Sequence, residues 1–344
     1  MKKIIYLLTN RFTLYITVSA IVFLALILNI DKYKADIIST EVSTENYSCC
    51  FKDLDNEGNS EKMQYFTEHN NVLSLTISTE GKLIGQWNFS GNWATTTSYF
   101  FADYDNDDIK EIFVFTVHND SIFLHCLDAI NKKVKIENKA VCKVYKERGV
   151  YDFKIHPCTA FDVNADGFKE IFFSISTGFS TRPRNMFAYY PGKDSILISP
   201  ESYSLVLFPQ IFDLDGDNTP EFMNKYSLAS GNCQLDKKYT DQYSWLMVFT
   251  PEMEFKFPPV RFNAHPAISQ FVPYNPGKKK YILVFHYYEG TENFSSFMAL
   301  FDIKGKLIRK KNIEKDIRLY YSLFFSRDDE YKDIFVLQNE GALV

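Results

Sequence analysis

The sequence has 344 residues, a formal net charge of −5 and an aromatic fraction of 17%. The acidic balance and the lack of a basic stripe exclude an electrostatic nucleic-acid-binding protein. The aromatic content and the near absence of helical periodicity indicate an all-β chain.

The N-terminal segment predicts a membrane anchor. Residues 1–11 are basic, and residues 12–30 (FTLYITVSAIVFLALILNI) carry no charge and are long enough to cross a bilayer as one helix. No small-x-small cleavage site follows, so an uncleaved signal anchor is favoured over its alternative, a cleaved signal peptide. Lys2, Lys3 and Arg11 precede the segment, so the positive-inside rule leaves the N-terminus in the cytoplasm.

The remainder of the chain is therefore expected outside the cytoplasm, on the extracytoplasmic or periplasmic side of the cell (inner) membrane. Residues 31–42 form a short polar linker, and residues 43–344 form the folded domain, with its first strand over 43–50. A domain of this length is large for one ordinary hydrophobic core, and radial repetition of small sheets would solve that problem.

Four short acidic loops organise this domain. They read DLDNEGNSE from Asp53, DYDNDDIKE from Asp103, DVNADGFKE from Asp162 and DLDGDNTPE from Asp213. Each has Asp at position 1, Asp or Asn at position 3, Asp or Glu at position 5 and Glu at position 9. Alternating oxygen side chains on a tight loop suit a hard cation such as Ca²⁺. Gly at position 6, present as Gly58 and Gly167, eases the turn because glycine tolerates positive φ.

Two other interpretations of the loops are available. An EF-hand loop requires a bidentate Glu at position 12 and flanking helices, and position 12 is Gln64, Val114, Phe173 or Asn224 here. The EF-hand is therefore rejected. Solvated Asp/Asn turns without metal are the second interpretation, which stays open above all for the first loop, where Glu57 is an unusual fifth ligand.

The loops recur at intervals of 50, 59 and 51 residues. Two decayed copies continue the series, FVPYNPGKKKYILVF from Phe271 and FSRDDEYKDIFVLQ from Phe325, and neither is expected to bind a cation. In the second repeat the loop is followed by EIFVFTV, SIFLHCLD and KVKIENKAVCKVY, which predict three strands. This period and strand content predict a β-propeller of about six or seven four-stranded blades.

The phrases FADYDNDDIKEIF, FDVNADGFKEIF and FDLDGDNTPEF resemble FG-GAP/VCBS-type repeats, the Ca²⁺-binding blades of integrin α-chain propellers and many bacterial surface proteins. The resemblance covers roughly residues 43–344. It implies that each loop joins the first two strands of a blade and that Ca²⁺ is bound there. The implied ligands are Asp53, Asp55, Glu57 and Glu61; Asp103, Asp105, Asp107 and Glu111; Asp162, Asn164, Asp166 and Glu170; and Asp213, Asp215, Asp217 and Glu221. Asp108 and Asn218 replace Gly at position 6, so the turn departs from the pattern there.

Other chemistry-bearing residues form no recognisable catalytic or zinc site. The histidines lack zinc-ligand spacing, and no nucleophile or phosphate-loop motif occurs. Cys126 and Cys142 could meet across neighbouring strands, with buried free thiols as the alternative. Trp93 and residues 286–288 are either exposed aromatics for a glycan or peptide or packing residues between sheets. Lys278–Lys280 and Ile308–Lys315 are expected to be solvated turns.

The expected function is a non-enzymatic, membrane-anchored, Ca²⁺-binding module that senses or adheres to an extracytoplasmic protein or glycan ligand. A surface polysaccharide-active enzyme of the lyase type is an alternative. The sixth copy supplies only two strands, so either the propeller closes with N-terminal strands or the chain is truncated. The truncated sensor half of a membrane histidine kinase is therefore a further alternative.

Overall fold

The computed structural model describes residues 47–67, 72–94, 99–233, 237–275, 279–288, 296–313, 319–326 and 332–338, together with Ser19. The predicted basic N-terminus, membrane segment and linker lie outside the described residues, apart from Ser19. No helix in the described part of the chain is long and apolar enough to span a membrane. The chain divides into two units, Met1–Thr44 and Glu45–Val344, and the second is built of antiparallel strands.

Sheet A is a meander of four consecutive strands. They are β1 (Tyr47–Lys52), β2 (Glu61–Thr67), β3 (Leu73–Thr79) and β4 (Lys82–Phe89). Along β2 the side chains alternate between buried and half-buried positions, which places Met63 and Tyr65 in the core. The first strand predicted over residues 43–50 is confirmed from Tyr47 onwards and extends to Lys52, whereas residues 43–46 lie outside the described residues.

Sheet B repeats this plan with a divided first strand. Its strands are β5 (Asn92–Trp93), β6 (Tyr99–Ala102), β7 (Glu111–His118), β8 (Ser121–Asp128) and β9 (Lys133–Lys143). Both β5 and β6 pair with β7. The three strands predicted after the second loop are therefore confirmed.

Sheet C is a second four-stranded meander, reached through a small hairpin. The hairpin consists of β10 (Lys146–Glu147) and β11 (Val150–Tyr151), and the sheet consists of β12 (Phe153–Phe161), β13 (Glu170–Thr177), β14 (Arg184–Tyr190) and β15 (Ser195–Ile198). A 3₁₀ turn over Pro191–Lys193 joins the last two strands.

The fourth and fifth repeats share one seven-stranded sheet, sheet D. Its strands are β16 (Leu207–Phe212), β17 (Glu221–Ala229), β19 (Val248–Phe249), β21 (Ala267–Tyr274), β22 (Tyr281–Tyr288), β23 (Phe297–Phe301) and β24 (Leu307–Asn312). Two further strands of these repeats, β18 (Tyr243–Leu246) and β20 (Val260–Ala264), lie outside sheet D. Strand β17 pairs with β19 at one end and with β21 at the other, which fuses the two repeats, while β18 pairs with β20 separately. The expectation of a solvated turn is wrong for Leu307–Asn312, which is an exposed strand. A last hairpin consists of β25 (Leu319–Ser326) and β26 (Lys332–Gln338).

The sheets pack face to face in chain order. On β7, Ile112 and Val114 join a core with sheet A, whereas Phe113 and Phe115 join a core with Phe173 of sheet C. Sheet C in turn packs Phe172 against Phe222 of sheet D, with ring centroids 4.1 Å apart. Because β7 and β13 bury both faces, their sequences are continuous apolar runs rather than alternating ones. The fold is thus all-β with several antiparallel repeat sheets, and closure into a propeller ring remains a prediction.

A buried ion pair fixes the long connection between β17 and β18. Arg184 Nη1 lies 2.8 Å from Asp241 Oδ2, and both side chains are fully buried. Arg184 Nε also donates to the Thr177 carbonyl oxygen at 2.8 Å. Asp241 accepts hydrogen bonds from the Cys233 N–H at 2.7 Å and the Ser230 hydroxyl at 2.8 Å. Every charge in the pair is therefore hydrogen-bonded, as burial requires.

Candidate metal centres

The four acidic loops each join the first and second strands of a repeat, as the resemblance implied. We call them loop 1 (residues 53–61), loop 2 (103–111), loop 3 (162–170) and loop 4 (213–221). All four have positive φ at positions 4 and 6. Position 4 is Asn56, Asn106, Ala165 or Gly216, and position 6 is Gly58, Asp108, Gly167 or Asn218. The need for positive φ at position 6 was predicted from the sequence, whereas the same need at position 4 was not.

Side chains at positions 1, 3 and 5 fold back on the loop backbone. In loop 3, Asn164 Oδ1 accepts the Asp166 N–H at 2.8 Å, and Asp166 Oδ1 accepts the Phe168 N–H at 2.9 Å. Position 1 accepts the N–H of position 6 in loops 1, 3 and 4, at 3.1 Å for Asp53 with Gly58, and that of position 5 in loop 2. These short-range bonds are the ones that favour Asp and Asn in turns, and they hold the oxygen side chains in fixed directions.

The glutamate at position 9 is buried in every loop and ties the end of the loop to its beginning; we call this contact the latch. One carboxylate oxygen accepts the N–H of position 2, at 2.9 Å in loop 1, 3.1 Å in loop 2, 2.9 Å in loop 3 and 2.7 Å in loop 4. The same residue begins the following strand. Its other oxygen faces the side chains at positions 1 and 3, so the latch orients a carboxylate towards the loop centre.

Positions 1, 3 and 9 converge in three of the loops. Their carboxylate oxygens lie within 4.8 Å of one another, which is compatible with a shared cation. The groups are Asp53, Asp55 and Glu61; Asp103, Asp105 and Glu111; and Asp213, Asp215 and Glu221. The predicted ligands at position 5 do not belong to these groups. Glu57, Asp107, Asp166 and Asp217 are exposed, and the last three accept the backbone N–H of position 7.

A lysine lies inside the loop 2 group. Lys135 Nζ is 2.6 Å from Asp105 Oδ2, 2.6 Å from Glu111 Oε1 and 3.3 Å from Asp107 Oδ2. Burial lowers the pKa of Lys135, but its hydrogen bonds to Asp105 and Glu111 outweigh burial and raise the pKa overall. The ammonium therefore stays charged and occupies the space between the carboxylates.

Loop 4 contains a lysine in the same way. Lys256 Nζ lies 2.6 Å from Asp215 Oδ2 and 2.7 Å from Glu221 Oε1. Burial again lowers the pKa of Lys256, and the hydrogen bonds to the two carboxylates reverse this effect. As they stand, loops 2 and 4 do not fit a divalent cation, because an ammonium already neutralises their convergent oxygens.

Loop 1 has no such lysine among its described contacts. Asp53 Oδ1 is buried without a hydrogen-bond partner, and Glu61 is only 4% exposed. A depression of about 400 Å³ opens beside the loop, lined by Asp55, Glu57, Asn59, Glu61, Thr79, Leu83, Ile84, Ile130 and Lys132. An orphaned oxygen among convergent carboxylates, next to open space, fits an oxygen-preferring cation.

Loop 3 differs because position 3 is an amide. Asn164 Nδ2 donates to Glu170 Oε1 at 2.7 Å, so the amide connects two predicted ligands. Asp162 Oδ1 is buried and unpartnered, as in loop 1. Loop 3 thus retains an acceptor without a donor, but with fewer convergent carboxylates than loop 1.

Burial raises the pKa of the position 9 glutamates in loops 2, 3 and 4. It raises the pKa of Glu111 to about 7, against the hydrogen bond from Lys135. Burial also raises the pKa of Glu170 and of Glu221 above the ordinary value. These carboxylates need a positive partner to remain charged, and Lys135 and Lys256 supply it in loops 2 and 4.

Successive loops are linked by a ladder of hydrogen bonds. The lysine at position 8 of one loop reaches back to position 1 of the preceding loop. Lys110 Nζ donates to the Asp53 carbonyl oxygen at 3.0 Å, and Lys169 Nζ to that of Asp103 at 2.6 Å. Lys280, in the decayed fifth copy, donates to the Asp213 carbonyl oxygen at 2.6 Å. The expectation of a solvated turn is therefore wrong for Lys280.

The asparagine at position 4 adds a second hydrogen bond between successive loops. Asn56 Nδ2 donates to the Asp108 carbonyl oxygen at 2.9 Å, and Asn106 Nδ2 to that of Gly167 at 2.8 Å. Between loops 3 and 4 neither hydrogen bond has a side-chain donor, because position 4 of loop 3 is Ala165 and position 8 of loop 4 is Pro220.

The remaining predicted features are packing residues. All six cysteines are free, and β8–β9 pairing sets Cys142 opposite Ile122 rather than Cys126, so the possible disulfide is wrong. His286 is fully buried between Phe262 and Phe297, and the Trp93 indole N–H donates to the Phe66 carbonyl oxygen at 3.3 Å. The packing interpretation is thus confirmed for His286 and Trp93 and also for the buried Tyr288, whereas Tyr287 is half-exposed.

Comparison with known proteins leaves the family open. No protein-family model and no curated protein sequence matches the chain. Among solved structures, the V. cholerae biofilm matrix protein Bap1 is similar at 13% identity and a TM-score of 0.35, over 82% of this chain and 42% of that one. BBS1N, in its complex with ARL6DN, is similar at 10% identity and a TM-score of 0.28, over 90% of this chain and 94% of that one. Both TM-scores are too low to indicate a shared fold or function.

Proposed function

We propose that this chain is a non-enzymatic β-propeller that binds Ca²⁺ in those repeat loops whose carboxylates no lysine neutralises, and that it serves as an adhesion or ligand-sensing module outside the cytoplasm. The observation that carries the proposal is loop 1, where Asp53, Asp55 and Glu61 converge and one buried oxygen lacks a partner. These three residues would hold the ion, and Glu57 is adjacent to them. When bound, Ca²⁺ would supply positive charge to the carboxylates and fix the loop against its neighbours.

The ladder between loops supports a mechanical role for the ion. Loop 1 is tied to loop 2 by Lys110 and Asn56, and loop 2 to loop 3 by Lys169 and Asn106. A cation that orders loop 1 would therefore also stabilise loops 2 and 3, which together with loop 1 form one hydrogen-bonded edge across three successive repeats. A rigid edge of this kind favours presentation of a binding face to an extracytoplasmic protein or glycan.

The anchoring part of the proposal rests on residues 12–30, an uncharged segment preceded by Lys2, Lys3 and Arg11. The full chain should sediment with membranes and resist alkaline carbonate extraction. Protease added to intact cells with a permeabilised outer boundary should remove the domain after residue 31. Recovery of the chain in the soluble fraction would contradict the anchor.

The metal part is tested by thermal unfolding of the full chain. We expect a higher melting temperature in millimolar Ca²⁺ than in chelator, and a loss of that difference when Asp53→Asn and Asp55→Asn are combined. Glu137→Gln is the matched control, because Glu137 is an exposed carboxylate on β9 outside the loops. Identical melting curves with and without Ca²⁺ would refute cation binding.

The binding part is tested with a panel of polysaccharides and surface proteins. We expect retention of at least one class on the immobilised full chain, with no new reducing ends or unsaturated products after incubation. Catalytic turnover of a polysaccharide would favour the lyase-type alternative.

A further inference from the structure

Lys135 reaches loop 2 because it sits in a β-bulge. On strand β9, Val134 pairs with Leu127 and Ile136 pairs with Cys126, so Lys135 is an extra residue between two registered pairs. A bulge re-aims its side chain relative to the regular alternation of a strand. Here it directs the ammonium at the carboxylates of the same repeat.

The equivalent position can be identified in sheet D. In sheet B, Leu127 pairs with Ile112, the residue directly after the position 9 glutamate. In sheet D, Phe249 pairs with Phe222, which also directly follows the position 9 glutamate. Phe255 bridges Phe249 as Val134 bridges Leu127. The next residue is Lys256, whose N–H donates to the Val248 carbonyl oxygen at 2.9 Å. Lys256 therefore follows the bridging residue directly, as Lys135 does in sheet B.

In the first repeat the same bulge is present with an apolar residue. On strand β4, Leu83 pairs with Ser78 and Gly85 pairs with Ile77, which makes Ile84 the extra residue. Ile84 lines the depression beside loop 1. In sheet C, Ile196 and Leu197 pair with consecutive residues of β14, so loop 3 has no bulge position at all.

Bulge chemistry and loop occupancy thus vary together. Loops 2 and 4 have a lysine at this position and carry an ammonium among their carboxylates, whereas loops 1 and 3 have no lysine there. Loops 1 and 3 keep a buried oxygen without a hydrogen-bond partner at position 1, and in loop 2 one buried oxygen of Asp105, at position 3, also has none. A cation cannot occupy the space filled by the ammonium, and like charges at such separations repel strongly. Calcium binding at loop 2 or loop 4 would require the lysine to withdraw.

We propose that Lys135 and Lys256 are built-in cations, so that loops 2 and 4 are metal-independent and a loop takes Ca²⁺ only where no lysine occupies this position. This inference rests on the proposed function for the sites at loops 1 and 3, but its statement about loops 2 and 4 is independent of them. Of the four acidic loops, two would therefore be neutralised by their own lysine, and at most two would depend on Ca²⁺.

The test exchanges the two bulge residues in the full chain and counts bound Ca²⁺ by isothermal titration calorimetry. Lys135→Ile should add one Ca²⁺ per chain. It should also melt at a lower temperature than wild type in chelator, and Ca²⁺ should restore the difference. Ile84→Lys should remove one Ca²⁺, and the double exchange should leave the count unchanged. Lys139→Ile is the matched control, because Lys139 is on the same strand but pairs with Asp194, away from the loops.

The outcomes separate this inference from the proposed function. If wild type binds no Ca²⁺ but Lys135→Ile binds one, the built-in cation stands and the proposed loop 1 site fails. If wild type binds Ca²⁺ and Lys135→Ile binds no more, the built-in cation is overturned and the proposed function stands. Should Lys135→Ile fail to fold, Lys256→Met gives the same test at loop 4. Three or more Ca²⁺ per wild-type chain would also overturn the inference.

Discussion

Position 4 of loop 3 offers a direct test of the ladder between loops. Ala165 holds a left-handed backbone, with φ of 57°, where the other loops have Asn or Gly. The residue is exposed, so a larger side chain has room. We predict that Ala165→Asn stabilises the fold, both by relieving the backbone and by supplying the missing donor towards the position 6 carbonyl of loop 4.

The expected gain has two parts. The left-handed conformation costs an L-residue roughly 1–2 kcal/mol, and Asn adopts it more readily than Ala. A new hydrogen bond like that of Asn106 with Gly167 contributes about 0.5–1.5 kcal/mol net. Ala165→Asn should therefore raise the free energy of unfolding by about 1–2 kcal/mol. Ala165→Gly relieves only the backbone and loosens the unfolded chain, so its gain should be about 0.5 kcal/mol.

Equilibrium urea unfolding of the full chain in chelator measures both variants. The expected order of stability is Ala165→Asn above Ala165→Gly above wild type. Equal stability of the two variants would refute the ladder bond. Two variants less stable than wild type would refute the strain at Ala165.

Three further predictions concern buried polar groups. Asp241→Asn leaves Arg184 uncompensated inside the protein, and urea unfolding should show a loss of about 3–5 kcal/mol, whereas a loss below about 1 kcal/mol would contradict the buried pair. Glu61→Ala orphans the Leu54 N–H and should cost about 1–3 kcal/mol in chelator, while Glu61→Gln keeps an acceptor and should cost less; equal costs would argue against the latch. Burial, and to a smaller extent the charge of Lys310, lowers the pKa of His286 from 6.5 to about 4. The folded state therefore binds a proton at His286 more weakly than the unfolded state does. As a result, the free energy of unfolding decreases as the pH falls from about 6.5 to 4. His286→Asn should therefore reduce the stability difference between pH 7 and pH 5 by about 2 kcal/mol, and an unchanged difference would exclude a neutral buried imidazole.

The repeat pattern of the sequence predicts much of the fold. In the second repeat the predicted strand begins at position 9, and β2, β7, β13 and β17 all begin at that glutamate. The prediction succeeds because turn chemistry and the apolar run that follows are both local. The fusion of two repeats into sheet D was not predictable, since it depends on which half of β17 pairs with β19 and which with β21.

The site was predicted only in part, for a similar reason. Positions 1, 3 and 9 converge in loops 1, 2 and 4, because they are fixed by short-range hydrogen bonds, and their role as metal ligands stays a prediction. Lys135 and Lys256 lie 24 and 35 residues after the glutamates they neutralise, and their direction depends on strand pairing rather than on any motif. The position 8 lysines had a readable signal, since Lys110, Lys169 and Lys280 each directly precede a second strand.

The central claim is that loop 1 is a cation site and that loops 2 and 4 are closed by lysine. Crystals of the chain grown in Ca²⁺ would test it most directly, through an anomalous difference map collected at a long wavelength. The account predicts a peak at about 2.3–2.6 Å from oxygens of Asp53, Asp55 and Glu61, and none beside Lys135 or Lys256. A peak in loop 2 with Lys135 turned away, or no peak in loop 1, would contradict it.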